Sequence, residues 1–560
     1  MTTVLAQADV RLDTAWYDYV FIVFYFVLVL GIGLAARRSV SSSLDFLLSG
    51  RSLPAWVTGI AFISANLGAL ELIGMTANGV KYGVPTVHYY WIGAIPAMVF
   101  LGIVMMPFYY GSKARSVPEF LRKRFNATTQ RVNGITFALA AVLIAGVNLF
   151  ALGLIMEALL GWSLALAIPV AALVVLAYTF LGGLSAAIYN EVLQFFVILA
   201  LLVPITVAGL ARVGGWDGLK EKIAAGGYPA DLQSWPGTSL TEIPNGFLSV
   251  VGIVFGLGFV LSFGYWTTNF AEVQRALSAK SMSAARRTPI IGAFPKALIP
   301  LVVVVPGMVA GVLVPQLVAV KAGDMSSGVT PNDTLTLLMR EVLPNGLLGV
   351  ALAGLLAAFM AGMAANVSSL NTVFTYDLWQ DWIRPGRDDR YYLRVGRAVT
   401  VVGCILAIGT AFIASGSQNL MDYIQTLFSF FNAPLFAIFI LGLFWKRMTG
   451  PAGWTGLVSG TIAAVAIDRL VAGGAIAVSS QAGSFIGASA AFVVGIAVAI
   501  VVSTFTQPKP DAELVGLVWS LTPKSSREHS TTGEDAGWYR QPVTLGAIVI
   551  ALTVALYIVF

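Results

Sequence analysis

Two carboxylates and one amine stand in stretches that otherwise carry no charge. Glu71 lies in Ala69-Leu70-Glu71-Leu72-Ile73, Lys296 in Phe294-Pro295-Lys296-Ala297-Leu298, and Glu191 directly after Ala186-Ala187-Ile188-Tyr189-Asn190. At the centre of a membrane helix each such charge costs about 2.5–3.5 kcal/mol on insertion scales, so each requires a partner or a task. Glu71 and Lys296 read either as a structural ion pair or as the polar groups of a solute site. Glu191 reads as an interfacial carboxylate or as an ion-handling group. A buried carboxyl is also a candidate proton carrier, because burial raises its pKa toward neutrality. Gln425 and Asn432 add uncharged hydrogen-bonding groups at depth. No nucleophile is paired with a base: the histidines are His88, at a loop end, and His529, in a tail loop, and the single Cys404 lies in an apolar run. The sequence therefore predicts no enzyme, no cofactor and no structural zinc site.

The surroundings are what put these groups at depth. The chain has 560 residues, 58% of them hydrophobic and 11% charged, with a mean hydropathy of +0.83. Soluble proteins carry about 25% charged residues, and this chain has too few to coat several globular surfaces. At about 20 apolar residues per crossing, the sequence predicts fourteen helical spans. They fall roughly at 16–35, 55–80, 89–110, 132–160, 164–180, 186–210, 244–270, 289–318, 343–376, 395–415, 422–444, 453–473, 483–506 and 541–560. The runs are continuous rather than alternating, which excludes a β-barrel.

Basic residues cluster in alternate loops: Arg37, Arg38 and Arg51; Lys113 to Arg131; Arg275 to Arg287; Arg384 to Arg394; Lys446 and Arg447. That side is the cytoplasm by the positive-inside rule, so both termini face outward. The same alternation disposes of the net charge of +6 as a nucleic-acid signal. The reading is an all-α, multi-pass protein of the cytoplasmic membrane, a monomer or weak homo-oligomer. Its partners are the lipid bilayer and a small molecule.

Two spans are poor continuous helices. The second contains Ser64-Ala65-Asn66-Leu67-Gly68 and the seventh Gly256-Leu257-Gly258, then Ser262-Phe263-Gly264-Tyr265-Trp266-Thr267-Thr268-Asn269. They lie five spans apart in opposite orientations, the pattern of transporters built from inverted repeats with a midplane site at broken helices. Glycines that only permit close helix packing are the alternative. The ninth span is crowded with small residues from Ala357 to Ala365, suited to packing against the second.

Several motifs, in order along the chain, resemble the sodium:solute symporter family and within it the sodium/glucose cotransporters. They are Ser64-Ala65-Asn66-Leu67 to Gly74-Met75; Ser116-Val117-Pro118-Glu119-Phe120-Leu121 with Arg124-Phe125; Leu181-Gly182-Gly183-Leu184-Ser185-Ala186; Tyr265-Trp266 with Gln274-Arg275; and Gln425 with Gly442-Leu443-Phe444-Trp445-Lys446-Arg447. The similarity runs from the first span to about Gly456. It implies a five-plus-five inverted-repeat core of the APC superfamily type over spans two to eleven, with broken second and seventh spans.

By position, the resemblance implies sugar contacts at Asn66, Ser262, Tyr265, Lys296 and Gln425, with Tyr265 as the inner gate; each could instead serve packing. Two departures extend this set. Tyr90 stands where a sugar-binding carboxylate is expected, and Glu71 where a neutral or imidazole side chain is, so the two join the candidates. Glu71 and Lys296 would pair without solute and separate when one enters. The family's shared sodium site implies carbonyls near Ser64 and Leu67 and two hydroxyls in the ninth span. Those hydroxyl positions fall on Ala361 and Gly362, which have no side-chain oxygen, although hard cations want oxygen ligands. The site reads as degenerate, with the hydroxyl of Ser64 a minor help. Glu191 stands where the family has an Asp linked to ion passage.

The resulting organisation is an outward N-terminal tail and first span (1–50), a first repeat (51–211), a second repeat (244–447), and three peripheral spans (448–560) joined by a cytoplasmic linker at about 507–541. The function read from it is secondary active transport of a small polar solute, a sugar first, by alternating access. Na+ and H+ are both open as the coupling ion, with proton coupling or weak sodium coupling favoured. An uncoupled facilitator and a transporter-derived solute sensor are the alternatives.

Overall fold

The structure is a computed structural model and describes residues 12–36, 42–235, 238–243, 245–417, 419–524 and 537–559. Arg37, Arg38, His529 and part of the 507–541 linker lie outside the described residues. All regular elements among the described residues are helical. Twelve helices are long and apolar enough to cross a membrane, thirteen if one bent pair is a span. In chain order the elements used below are α1 (Trp16–Ala36), α2 (Ala55–Asn66), α3 (Leu70–Tyr82), α4 (Val84–Gly111), α5 (Val117–Arg124) and α6 (Ala127–Leu160). They continue with α7 (Leu164–Val213), α8 (Gly246–Thr268), α9 (Phe270–Leu277) and α10 (Met282–Leu313). The remainder are α11 (Leu347–Ile383), α12 (Asp389–Ala414), α13 (Leu420–Phe444), α14 (Gly450–Ala472), α15 (Ser480–Phe505) and α16 (Pro542–Val559).

The expected second span is the bent pair: α2 and α3 meet at 57°. The helix ends because Leu67 turns to ψ 45°, and Gly68 lies where another residue could not. A Cβ on Gly68 would stand 2.4 Å from the Asn148 amide oxygen and 3.4 Å from the Cα of Gly362, so the bend and the ninth-span stripe of small residues touch directly.

The expected break in the seventh span is not at its glycines. α8 crosses without a sharp bend, its middle wound as a π-helix over Gly252–Ser262. Gly256 and Gly258 serve packing instead: a Cβ on either would meet the Phe485 carbonyl at 2.9 Å or Ile92 at 2.5 Å. The chain breaks one step later, at the extended Asn269, whose Oδ1 accepts the Ala271 N–H at 3.0 Å and starts α9. The expected fifth and sixth spans are the two arms of α7, parted at Gly183 (φ +56°), where a Cβ would collide with the Phe46 carbonyl at 2.5 Å. The first arm contains the apolar helix Leu164–Ala177, shorter than the other spans.

Helix ends inside the bundle are closed by charged side chains, because lipid offers no hydrogen bonds. Asp18, fully buried in the first turn of α1, accepts the N–H groups of Gly346 and Gly349 at 2.7 and 2.8 Å and so caps α11. Arg124, from the Pro-Glu-Phe-Leu motif segment, donates to the carbonyls of Gly442, Met448 and Trp445 at 2.7, 3.0 and 3.0 Å, closing the C-terminus of α13. The described first half of the 507–541 linker docks on the bundle: Leu514 and Val518 are buried, and the Trp519 ring lies against Phe108 and Phe444.

Arg124→Lys replaces a planar fork by one point charge and leaves carbonyls unpaired. The purified protein is expected to lose on the order of 2 kcal/mol of stability, read as a lower thermal unfolding midpoint. An unchanged midpoint would show that α13 does not depend on this cap.

Candidate functional site

The bend between α2 and α3 faces α4, α8, α10 and α13, and a small cavity lies at their meeting point. All seven expected solute contacts line it: Asn66, Glu71, Tyr90, Ser262, Tyr265, Lys296 and Gln425. Its volume is about 30 Å³, room for about one water. The space is small because side chains fill it. Lys296 Nζ donates to Glu71 Oε1 and to Asn66 Oδ1, and the Tyr90 hydroxyl donates to Glu71 Oε2 at 2.5 Å. Lys296 and Glu71 are each about 2% exposed, so this is an ion pair without water. The ammonium also stands 4.7 Å from the centre of the Tyr90 ring and 5.2 Å from that of Trp266, which stabilises a desolvated cation further. Lys296 follows Pro295 on α10, a helix with four internal prolines.

One wall of the cavity is aromatic. Tyr265 packs on Phe428 with ring centres 4.6 Å apart and edge-on against Trp266 at 5.2 Å. Its hydroxyl accepts from Asn66 Nδ2 at 3.0 Å and donates to Glu272 Oε1 at 2.6 Å, so the expected gate residue is tied to both sides. Gln425 is weakly engaged: its Oε1 is buried without a partner, and its Nε2 meets only the sulfur of Met421 at 3.9 Å. Ser262 lies against α4, where a Cβ on Gly93 would stand 2.4 Å from its hydroxyl.

The expected ion position lies on the other side of the bend. Ser64 Oγ is buried without a partner, while the Ser64 carbonyl already accepts the Leu67 N–H at 3.0 Å. Ala361 and Gly362 are buried in α11 and offer no side-chain oxygen. Asn148, on α6, reaches into the gap. Its Oδ1 accepts the Ala69 N–H at 3.0 Å and its Nδ2 donates to the Ile144 carbonyl at 3.0 Å. A Cβ on Gly362 would stand 2.2 Å from that Oδ1, so the carboxamide is wedged between the bend and α11. In place of the two ninth-span hydroxyls that the resemblance implies, the side chains here offer one free hydroxyl, Ser64, and one amide oxygen, Asn148 Oδ1, already engaged by the Ala69 N–H.

Glu191 is not part of either cluster. It is buried at the second arm of α7 and held by Arg275, which donates to both of its oxygens. Asn148 and Glu272 were missed from the sequence. Asn148 is a lone amide in an otherwise apolar stretch of α6, a usable signal; Glu272, three residues from Arg275 and just past the expected end of a span, reads as an ordinary loop charge.

Neutralising one partner of a dry ion pair strands the other. Lys296→Met or Glu71→Gln alone is expected to cost about 3–5 kcal/mol of stability, and the double variant less than either. Thermal unfolding of the four proteins checks this; losses that simply add would mean the two groups are not coupled.

Residues 46–460 match the model of the sodium:solute symporter family. The sodium/glucose cotransporter of Vibrio parahaemolyticus is 30% identical, over 81% of this chain and 85% of that protein. Sodium/glucose cotransporter 1 of Oryctolagus cuniculus is 29% identical, over 92% and 83%. Among solved structures, a Na+-coupled sialic acid symporter in a substrate-bound outward-open state superposes with a TM-score of 0.72 at 20% identity, covering 89% of this chain and 99% of its own, a likeness of fold. No His, Cys, Asp and Glu cluster suited to a metal occurs among the described residues. The chain belongs to the sodium:solute symporter family.

Proposed function

We propose that this secondary active transporter takes up a sugar, and that a proton rather than sodium drives it. In this reading the chain crosses the membrane fourteen times, counting the bent pair and the short first arm of α7. Spans two to eleven form the five-plus-five core, the basic loops face the cytoplasm and both termini face outward. The observation that carries the solute assignment is the composition of the cavity at the bend: two amides, a serine hydroxyl, a carboxylate and an ammonium set among aromatic rings. A sugar presents the same two aspects, hydroxyls at its edge and apolar C–H faces.

The mechanism follows from the contacts. Without solute, Lys296 and Glu71 satisfy each other. Entering hydroxyls take over: Glu71 and Asn66 accept, Lys296 donates, and Gln425 supplies the oxygen that has no partner. Drawing Asn66 toward the solute removes one of the two hydrogen bonds that fix the Tyr265 hydroxyl, which links occupancy to the inner gate. The relatives' names support the sugar class, since both are sodium/glucose cotransporters. They also name sodium, but the wedge of Asn148 against Gly362 supports a different ion here.

Gln425→Ala should raise KM for the transported sugar about tenfold with kcat little changed, the loss of one binding hydrogen bond. A thermal-shift screen of sugars, polyols, amino acids and organic acids identifies the substrate; stabilisation by amino acids alone would overturn the sugar reading. In proteoliposomes, uptake should follow an inward proton gradient and persist when choline replaces sodium. A strict sodium requirement indifferent to pH would overturn the ion reading and leave the solute reading standing.

A further inference from the structure

Glu272 is a buried carboxylate, 2% exposed, that no cation neutralises at hydrogen-bonding distance among the described residues. One oxygen accepts from the gate hydroxyl of Tyr265 at 2.6 Å, and the other has no partner. Arg275 lies on the same short helix but is committed elsewhere. Its Nε and Nη2 hold Glu191, and its Nη1 donates to the Ala271 carbonyl at 2.6 Å and to Gln274 Oε1 at 3.4 Å. Glu71 and Glu191 each have a cation in direct contact, so of the buried carboxylates around the site Glu272 is the one left to a proton.

We propose that Glu272 is the residue that carries the coupling proton, and that it couples proton binding to the inner gate through Tyr265. This rests on the proton-driven reading above. Glu272 sits on α9, past the end of α8, on the cytoplasmic side of Tyr265. From the site side, a proton reaches it by relay once Asn66 has turned away: Tyr265 passes its hydroxyl proton to the Glu272 carboxylate and takes one from a hydronium ion in the solute site, which leaves as water. The carboxylic acid later gives its proton to cytoplasmic water, and the carboxylate returns. While ionised, Glu272 accepts from the tyrosine hydroxyl and holds the gate. Once protonated on the free oxygen it is a neutral and weaker acceptor, so the charge-assisted bond that holds the gate is lost, and with Asn66 turned to solute the Tyr265 hydroxyl keeps only a neutral hydrogen bond.

The groups that act on Glu272 electrostatically are Tyr265 on α8, Arg275 on α9, Glu191 on α7 and Lys296 on α10. α2 packs on α9 and carries no charge; so does the Leu347–Thr372 part of α11. On α4, Tyr109 and Tyr110 are tied to the carbonyls of Thr267 and Ala279, and on α10 Arg286 and Arg287 lie nearly three turns before Lys296. Burial raises the carboxyl from its ordinary value to about 7, against the opposing pull of the Tyr265 hydrogen bond and Arg275. The acid form therefore dominates below about pH 7 and is lost above it.

The test is uptake of the identified sugar into proteoliposomes of wild type, E272Q and E272D, with counterflow exchange measured alongside. One pH unit inward supports at most about tenfold accumulation for one proton per solute. Wild type should approach this and decline as pH rises through neutrality. E272Q should reach only equal concentrations while exchange stays measurable, and E272D should accumulate with a displaced pH midpoint. If wild type ignores the proton gradient, the proton reading and this proposal both fall. If wild type is proton-driven and E272Q still concentrates sugar, the proposal alone falls. Should E272Q give no exchange, E272D decides: an unmoved pH midpoint overturns the assignment.

Discussion

A charge taken out of water must be answered by its neighbours, and in lipid no solvent is left to help. The Lys296–Glu71 pair is where this structure meets that requirement most sharply. The lysine brings α10 to the bend, the glutamate fixes the start of α3, and Tyr90 and Asn66 supply the remaining hydrogen bonds. Four helices are thereby drawn to one point by a pair that is costly to desolvate and costlier to break. Such a pair contributes little to net stability compared with apolar packing. What it supplies is a polar centre that another polar object can enter, exchanging one set of hydrogen bonds for another.

The same accounting explains the bend itself. Unwinding at Leu67–Ala69 frees backbone groups that a continuous helix would have satisfied, and they are met by side chains. The Asn148 carboxamide takes the Ala69 N–H, and Asp18 and Arg124 do comparable work at other helix ends. Glycine at 68 and 362 is what lets the amide in, since any side chain at either position would occupy its place. The side-chain-free position at 362 and the amide at 148 are thus two sides of one contact.

Hydropathy alone located nearly every long apolar helix, because continuous apolar runs have few other uses. The pairing of Glu71 with Lys296 was legible for an energetic reason: two opposite charges at depth have few alternatives to each other. Where the seventh span parts within its stretch from Gly256 to Asn269 was not legible, because Gly256 and Gly258 carry the same signal whether a helix unwinds or a neighbour presses close; the facing residues Phe485 and Ile92, distant in sequence, decide it. Glu272 was illegible for a related reason. A carboxylate just beyond an apolar run looks solvated, and only the fold of α9 back under Tyr265 removes it from water.

The size of the central cavity has a consequence for the membrane as a whole. At about 30 Å³ it holds about one water, not a file of them, so the pathway is interrupted by side chains rather than by a lipid-like plug. A bilayer stores energy as an ion gradient, and every polytopic protein in it is a place where that gradient can be short-circuited. In the reading proposed above, the insulating element is made of the same groups that would recognise the cargo, so an idle copy would be sealed by its own binding residues.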